Sequence, residues 1–260
     1  MKIVVCIKQV PDTSDIKWTE NNTISREGVE SILNPMDLYA VNLAVKLKSC
    51  NDNAKITVVS MGPLQAMDVI KKAIALGCDS GILLSDRKFA GADTYATAKT
   101  LAHLISKKVP DFDLIVCGQY ASDGDTAQTG PSLARQLNIP AVTYVKSSQF
   151  INDKLIVTRE TEIAYEKYEV ALPSLLCVSK GDVEPGRAKI QGFINAKNAN
   201  VEILNCEDVD MCAEHTGIKG SPTYVSKAFT PKIEHNGEIY ICDDSDVCAK
   251  VLVEKINEYV

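Results

Sequence analysis

Hydrophobic positions along the chain fall into two alternating patterns. Short, continuous apolar runs bounded by turn residues predict four strands, at residues 2–8, 55–60, 80–84 and 113–117. Stretches whose apolar residues recur three and four positions apart lie between these runs and predict helices. Continuous apolar strands are typical of a parallel sheet that is covered on both faces. The chain is therefore expected to form a Rossmann-like, open, mostly parallel α/β sheet with helices on both faces.

Local signals mark where the predicted helices begin and end. Asn34 is expected to be the N-cap of the first helix, with Pro35 at its first position. Gly77 is expected to end the second helix in a left-handed conformation, and Asp93 or Thr94 to open the third. The stripes that these helices are expected to bury are Leu38, Val41, Val45 and Leu47, then Met67, Ile70 and Ile74, then Ala98, Leu101 and Ile105.

The second half of the chain changes character. Apolar and polar residues alternate at 154–159 and 165–172, which predicts antiparallel strands at a sheet edge, and a third strand at 174–178 is expected to close the domain. Residues 180–200 are rich in Gly, Asn and Lys and predict an exposed loop or domain exit. Residues 243–260 predict a capped helix with one apolar face formed by Val247, Val251 and Ile256.

These patterns divide the chain into three parts. Residues 1–183 are expected to form the α/β domain, residues 184–200 a loop, and residues 201–260 a C-terminal arm that ends in a helix. An arm with a one-sided helix needs a surface to cover, so it is expected to dock on a partner subunit.

Composition and charge exclude several classes of function. A formal net charge of -6 and a pI near 5.2 argue against nucleic-acid binding, which depends on clustered Lys and Arg. No apolar run approaches the roughly 20 residues that span a bilayer, so a cytoplasmic protein without membrane insertion is expected. The nine cysteines include no CxxC pair and the three histidines lack ligand spacing, so neither a metal site nor a disulfide framework is indicated. Without a GxSxG elbow or a His near Cys6, no catalytic residue is assigned.

Ligands of an open parallel sheet bind beyond the carboxyl ends of its strands. Four segments occupy such places: residues 6–12, 60–63 and 118–130, and the start of the first helix at 34–37. Glycines in two of these turns allow a backbone to approach a ligand closely. The four segments are therefore the candidate binding site.

The loop that follows the fourth strand is small and polar and is interpreted as a phosphate cradle. Its backbone amides, Thr126 and Thr129 are expected to face the anion, whereas Asp123 and Asp125 cap the helix or accept hydrogen bonds from ribose hydroxyls. Pro131 has no N–H to donate, so the regular helix is expected to begin near Gln128 or later. The alternative is an ordinary polar strand-to-helix turn, since no GxGxxG or Walker pattern is present.

Several motifs resemble those of one known family. VCIKQVPD, LNPMDLYAVNLAVKLK, CGQYASDGDTAQTGP and VTRETEIAYEKYEVALPSLLCV are similar to the beta subunits of electron-transferring flavoproteins, and the resemblance covers essentially the whole chain. The last block resembles the family signature, with Arg159, Glu160, Glu162 and Pro173 in place. It departs from that signature at Ile163 and Ala164, in the turn after the first acidic residues. The resemblance implies a subunit that works with a larger alpha subunit.

The resemblance also implies which residues hold an adenine cofactor. They lie in the same turns that the sheet argument selects. The implied cofactor-binding residues are Cys6, Asn34, Pro35, Met36, Asp37, Met61, Gly118, Gln119, Tyr120, Ala121, Ser122, Asp123, Gly124, Asp125, Thr126, Ala127, Gln128 and Thr129.

Members of this family hold either structural AMP or a second FAD in this place. The loop sequence DGDTAQTG is similar to the FAD-holding, electron-bifurcating type, and Gly124 leaves space for a diphosphate. This type implies NADH as hydride donor, one electron for ferredoxin or flavodoxin, and one for an acyl-CoA dehydrogenase or reductase through the alpha subunit. A non-bifurcating shuttle that holds AMP is the first alternative. A stand-alone nucleotide-binding regulatory module is the second.

Partner contacts follow from the same resemblance. Residues 184–198, including Arg187, Ile190 and Ile194, are implied to contact the acyl-CoA dehydrogenase, and the terminal helix to pack on the larger subunit. The alternative for residues 184–198 is a plain surface loop.

Overall fold

A computed structural model describes most of the chain. The chain divides into two units, Met1–Ser226 and Lys227–Val260. The described residues are 1–12, 31–51, 53–152, 154–181, 184–227, 237 and 239–258.

Strands and helices alternate along the first unit. The described strands are β1 (Lys2–Cys6), β2 (Gln9–Pro11), β3 (Ser31–Leu33), β4 (Lys55–Met61), β5 (Ser80–Leu84), β6 (Leu114–Gly118), β7 (Ala141–Ile151), β8 (Lys154–Glu160), β9 (Tyr165–Val170), β10 (Ser174–Val178) and β11 (Val201–Leu204). The α-helices are α1 (Pro35–Ser49), α2 (Met67–Leu76), α3 (Thr94–Lys108), α4 (Thr129–Leu137) and α5 (Ile190–Asn198), with α6 (Ser245–Asn257) in the second unit.

Nine strands form one sheet in the order β11-β5-β4-β1-β6-β10-β7-β8-β9, and β2 pairs with β3 in a separate small ribbon. All pairings from β11 to β7 are parallel, while β8 and β9 are antiparallel and lie at one edge. The predicted fold class and the antiparallel edge strands are therefore confirmed. The strand predicted at residues 174–178 is present as β10, but it lies inside the sheet between β6 and β7, and β11 follows it along the chain in the same sheet.

The sheet separates two hydrophobic layers. Successive residues of β1 point to opposite faces, so Ile3 and Val5 join the layer under α1 and α2, and Val4 and Cys6 join the layer under α3 and α4. A strand that is buried on both faces must be apolar at every position. This explains why the central strands appear in the sequence as continuous apolar runs.

The helix boundary signals hold. Pro35 is the first residue of α1, Asp93 caps α3 by accepting a hydrogen bond from the amide of Ala96, and Gly77 ends α2 with φ of +128°. The predicted stripes are correct in part, because Leu38, Val45 and Met67 are only half-buried. Helix α1 buries Val41 and Leu47 as predicted, together with Ala40, Leu43 and Ala44.

Residues 180–200 are not simply a loop. Helix α5 packs on α2, where a side chain at Gly192 would collide with the carbonyl oxygen of Ala75 and where Ala196 is buried. Strand β11 then pairs with β5, so the sheet continues to Leu204. The helix was missed because its packing residues are small. The predicted boundaries at 183 and 201 consequently do not coincide with the end of the first unit.

The second unit contains α6, whose predicted cap is present as a hydrogen bond from the amide of Asp246 to the carboxylate of Asp244. Cys242 and Cys248 form a disulfide across this helix start, with Cα atoms 5.7 Å apart. The sequence did not indicate this bond, since two cysteines six positions apart form no recognised framework. Across the helices that the structure describes, none is long and apolar enough to cross a membrane.

Candidate functional site

The candidate site lies where the chain direction across the sheet reverses. Strand β1 has β4 on one side and β6 on the other, so later strands of the chain extend away from it in both directions. In open α/β sheets a crevice forms at this switch point, beyond the carboxyl ends of the strands. The segments that leave β1 and β6 begin at Ile7 and Gln119, and both lie at this place.

Asp37 joins the ends of these two strands. Its side chain is 5% exposed, Oδ2 accepts a hydrogen bond from the amide of Lys8 at 2.7 Å, and Oδ1 accepts one from the amide of Gly118 at 3.0 Å. Burial raises the pKa of Asp37 from 3.8 to about 7, and these hydrogen bonds oppose the rise. The backbone at Gly118 approaches so closely that a Cβ there would lie 2.8 Å from the carbonyl carbon of Met36.

Asn34 connects the start of α1 to the loop that follows β6. Its side-chain amide donates to the carbonyl oxygen of Tyr120 at 2.9 Å, and its Oδ1 accepts from the amide of Ser122 at 3.1 Å. Asn34 occupies the N-cap position, but its side chain makes no cap hydrogen bond to α1. The predicted N-cap position of Asn34 is therefore confirmed, but its side chain bonds to the loop instead of to the first amides of the helix.

Lys8 and Asp123 form an ion pair between the end of β1 and the loop. The distance from Lys8 Nζ to Asp123 Oδ1 is 2.6 Å, and the Asp123 side chain is 4% exposed. Gln128 is the N-cap residue of α4, and its side chain makes no cap hydrogen bond to the helix. Of the two roles expected for these aspartates, the N-cap position is taken by Gln128, whereas hydrogen bonding to a ribose stays a prediction. The predicted late start of the helix is right, since α4 begins at Thr129.

The far half of the loop is exposed and strained. Asp125 and Ala127 have φ of +48° and +53°, a region that residues other than glycine adopt at a cost. A Cβ at Gly124 would meet no atom within 4 Å, so the fold does not require glycine at this position. The leading amides of α4 follow without a side-chain cap, and uncapped amides at a helix start favour an anion.

Besides Asn34 and Asp37, two further residues from the implied cofactor set are buried. Gln119 is buried, and its Oε1 accepts from the amide of Tyr144 at 2.7 Å. Cys6 is buried under the site, where burial and the nearby Asp37 carboxyl raise the pKa of its thiol. A thiol in this state is a poor nucleophile. Met61 ends the neighbouring strand β4 and is half-buried.

The remaining candidates lie on the surface of α5 and just before it. Ile190 and Ile194 are 82% and 47% exposed, and Arg187 is exposed. Phe193 lies on the same helix and is 63% exposed, although the sequence analysis did not select it. Lys8 lies within the predicted segment 6–12 but was assigned no role of its own, because a single lysine after a strand has no distinctive pattern. Its position beside the first site residues was the only available signal.

The residues present fit a phosphate-bearing cofactor. The donors at the switch point are backbone amides and the hydroxyl groups of Thr126 and Thr129, which are suited to phosphate oxygens. The charge of Asp123 is balanced by Lys8, so it does not repel an anion. The open space at Gly124 leaves room beside this turn.

An open, doubly wound α/β sheet with a polar loop at its switch point defines the Rossmann-like class of proteins. Within that class, residues 21–209 match the family model of the electron transfer flavoprotein domain. The chain belongs to the electron transfer flavoprotein family, as its motifs indicated.

Curated relatives extend over nearly the entire chain. Electron transfer flavoprotein subunit beta of Thermoanaerobacterium thermosaccharolyticum is 45% identical over 99% of this chain and 98% of its own length. Subunit CarD of the caffeyl-CoA reductase-Etf complex of Acetobacterium woodii is 42% identical, with the same coverage. The acryloyl-CoA reductase electron transfer subunit gamma of Anaerotignum propionicum is 38% identical over 89% of each chain. The resemblance to beta subunits of this family is thus confirmed.

Proposed function

We propose that this chain is the beta subunit of a heterodimeric electron transfer flavoprotein that binds FAD at the loop 118–129 and takes part in electron bifurcation. The observation that carries the cofactor assignment is the geometry of this loop. It lies at the switch point, its first half is tied to β1 and α1, and it leads into an uncapped helix start. Relatives of similar length that are named beta subunits support the subunit assignment.

The protein's share of the chemistry is to bind and orient the cofactor. The amides of residues 126–129 and the hydroxyls of Thr126 and Thr129 would hold the phosphates, and Gly124 leaves space for two phosphates instead of one. When bound, FAD supplies the exchange between two-electron and one-electron transfer. AMP would need only part of this space, so an AMP-holding shuttle is the outcome against which the proposal is tested.

The direction of electron flow is proposed from the relatives. Two of them are named as subunits of caffeyl-CoA and acryloyl-CoA reductase systems. By analogy, NADH would deliver a hydride at this subunit, and electrons would leave toward an acyl-CoA dehydrogenase or reductase through the alpha subunit and toward ferredoxin or flavodoxin. The chain alone is not expected to be active, because the redox path crosses to partner chains.

Two surfaces are proposed for the partner chains. Ile190, Phe193 and Ile194 form an exposed apolar strip on α5, which suits contact with the dehydrogenase or reductase. Helix α6 of the second unit carries its own exposed apolar residues, including Leu252 and Ile256, and is proposed to pack on the alpha subunit.

The nucleotide content of the purified two-chain protein tests the cofactor proposal. Both chains are co-expressed, the bound nucleotides are released by denaturation and quantified, and NADH-dependent ferredoxin reduction is assayed with an acyl-CoA reductase present. Two FAD per heterodimer and coupled ferredoxin reduction are expected. One FAD with one AMP, or a flavin-free homodimer of this chain, would exclude the bifurcating function.

A matched pair of substitutions tests the α5 surface. Ile194→Asp places a charge in the proposed contact and is expected to weaken reductase binding at least about tenfold, since interface centres exclude charge. Ile203→Asp on β11 is the control, because Ile203 is 46% exposed and Ile194 is 47% exposed. Equal binding by the two variants, measured by calorimetry with the intact heterodimer, would remove α5 from the interface.

A further inference from the structure

We infer that Lys8, Asn34 and Asp37 form a loop clamp, a set of positioning residues that hold residues 118–123 in place before the nucleotide binds. The resemblance to the family places Asn34 and Asp37 among the cofactor contacts, and Lys8 in no role. In the loop clamp all three residues have the same role, which is to position residues 118–123. Only the identity of the ligand rests on the proposed function.

The contacts of the loop clamp are distributed along the first half of the loop. Asp37 holds Gly118, Asn34 holds both Tyr120 and Ser122, and Lys8 holds Asp123. Lys8 follows β1, whereas Asn34 and Asp37 lie at the start of α1. The β2–β3 ribbon and a hydrogen bond from the amide of Asn34 to the carbonyl oxygen of Lys8, at 3.0 Å, hold these two segments together. The loop is therefore fastened at regular intervals to one rigid corner of the fold.

Burial separates a positioning role from a ligand-contact role. Asn34 is 1% exposed and Asp37 is 5% exposed, so both lie beneath the loop. Both ends of the Asn34 carboxamide and both oxygens of the Asp37 carboxyl are already engaged by backbone groups. A nucleotide that approached from solvent would meet the loop backbone first, and these side chains would act on it through the loop.

The loop clamp ends where the strained half of the loop begins. Gly124 and Asp125 donate only to the carbonyl oxygen of Ala121 among the described backbone bonds, and the two left-handed residues follow. A loop whose first half is already ordered loses less conformational entropy on binding. Its binding-competent fraction is larger, which raises the observed affinity and the association rate.

Isosteric substitutions test each anchor in the full chain purified with its larger subunit. Asn34→Asp keeps the acceptor for the Ser122 amide but turns an oxygen toward the Tyr120 carbonyl, and Asp37→Asn turns an amide group toward one of two N–H donors. Lys8→Met removes the charge pair, whereas Lys8→Arg retains it. Asp68→Asn is the matched control, since Asp68 lies in the first turn of α2 and is exposed.

Two readouts are measured for every variant. Hydrogen exchange of residues 119–124 is followed after removal of bound nucleotide, with the amides of α3 as internal reference. Association and dissociation rates of FAD are then measured separately. For Asn34→Asp, Asp37→Asn and Lys8→Met we expect at least about tenfold faster loop exchange, with a loss of FAD affinity that lies mainly in slower association. Lys8→Arg and Asp68→Asn are expected to match the unsubstituted chain.

Unchanged loop exchange in these variants, or a loss of affinity that lies in faster FAD dissociation, would overturn the loop clamp and make the residues direct contacts. Lys8→Met keeps the test valid if the two buried substitutions prevent folding, because the lysine lies at the site surface. A protein that binds neither FAD nor AMP would contradict the proposed function. The exchange comparison in the nucleotide-free chain would still decide the loop clamp.

Discussion

Carboxylates hold strand amides at both ends of the central sheet, but their surroundings differ. At the amino end, Asp79 accepts a hydrogen bond from the amide of Ile56 at 2.8 Å, and Asp113 accepts one from Lys2 at 2.7 Å. Asp79 is partly exposed, with Lys48 Nζ 2.7 Å from its carboxylate. At the carboxyl end, Asp37 makes the same kind of bond from a buried position.

The two ends differ in the free energy that it costs to remove the carboxyl group from water. A partly exposed carboxylate with a lysine beside it is stable without special conditions. Burying a carboxyl group costs folding free energy unless its oxygens accept hydrogen bonds. At the carboxyl ends of β1 and β6, one side chain must connect two strand ends and the loop. Asp37 does so because its two oxygens accept from two amides, those of Lys8 and Gly118. Among the described hydrogen bonds of the amino end, Asp79 and Asp113 each accept from one strand amide.

The largest expected effect is on the pH dependence of stability. Because the pKa of Asp37 in the folded chain is about 7 and its ordinary value is 3.8, the folded state keeps a proton that the unfolded state releases. This contribution is favourable at low pH and is lost as pH rises from about 4 to about 7, by up to about 4 kcal/mol. Urea unfolding of the unsubstituted chain and of Asp37→Asn is compared across pH 4.5–8.

Asn does not titrate, so the difference between the two unfolding free energies isolates Asp37 from the other carboxylates. The unsubstituted chain is expected to lose stability relative to Asp37→Asn as pH rises. Parallel pH profiles would show that Asp37 is ionised throughout, and would remove the contrast between the two ends of the sheet.

The next effect compares alanine substitutions at the two ends. At pH 5.5, where Asp37 is neutral, Asp37→Ala leaves two buried amides without an acceptor and is expected to cost about 3 kcal/mol of unfolding free energy. Asp79→Ala is expected to cost about 1 kcal/mol or less, since water can replace the carboxylate. Denaturant midpoints with equal slopes provide the measurement. Similar losses of unfolding free energy in the two variants would mean that burial of the carboxyl group does not distinguish the two ends of the sheet.

A smaller effect is expected from Gly118→Ala. Its new Cβ would collide with the Asp37 carboxyl and lie 2.8 Å from the carbonyl carbon of Met36. Overpacking of this kind costs about 2 kcal/mol, and the damage is expected at the loop clamp because Asp37 must move. Thermal unfolding gives the cost, and hydrogen exchange at residues 118–123 locates it. Loss of stability without faster loop exchange would argue against this link.

Sequence patterns predicted the elements of this fold better than their arrangement. Continuous apolar runs arise wherever a strand is covered on both faces, so the four predicted strands and the order of helices between them could be found. The place of β10 between β6 and β7 depends on pairing across long stretches of chain, which local periodicity does not encode. Helix α5 was hidden because Gly192 and Ala196 bury little apolar surface, although they permit close packing on α2.

The site was predictable as a location but not as a set of roles. The switch-point rule led to the right turns, since they follow from strand direction alone. Asn34 and Asp37 both favour helix starts, so the same residue types that indicate a cap also suit a bond to the neighbouring loop. Only the structure shows that their side chains point to Gly118, Tyr120 and Ser122.

The smallest expected effect on stability separates the loop from its support. Gly124→Ala adds a Cβ that meets no atom within 4 Å, and Gly186 outside the loop is equally open. Both substitutions are expected to change the unfolding free energy by less than about 0.5 kcal/mol, the usual range for surface positions. If the space at Gly124 belongs to a bound diphosphate, Gly124→Ala lowers FAD affinity while Gly186→Ala leaves it unchanged. Equal FAD affinity in the two variants would mean that the cofactor does not occupy the space at Gly124. The loop clamp would then be the remaining contribution of this region to nucleotide binding.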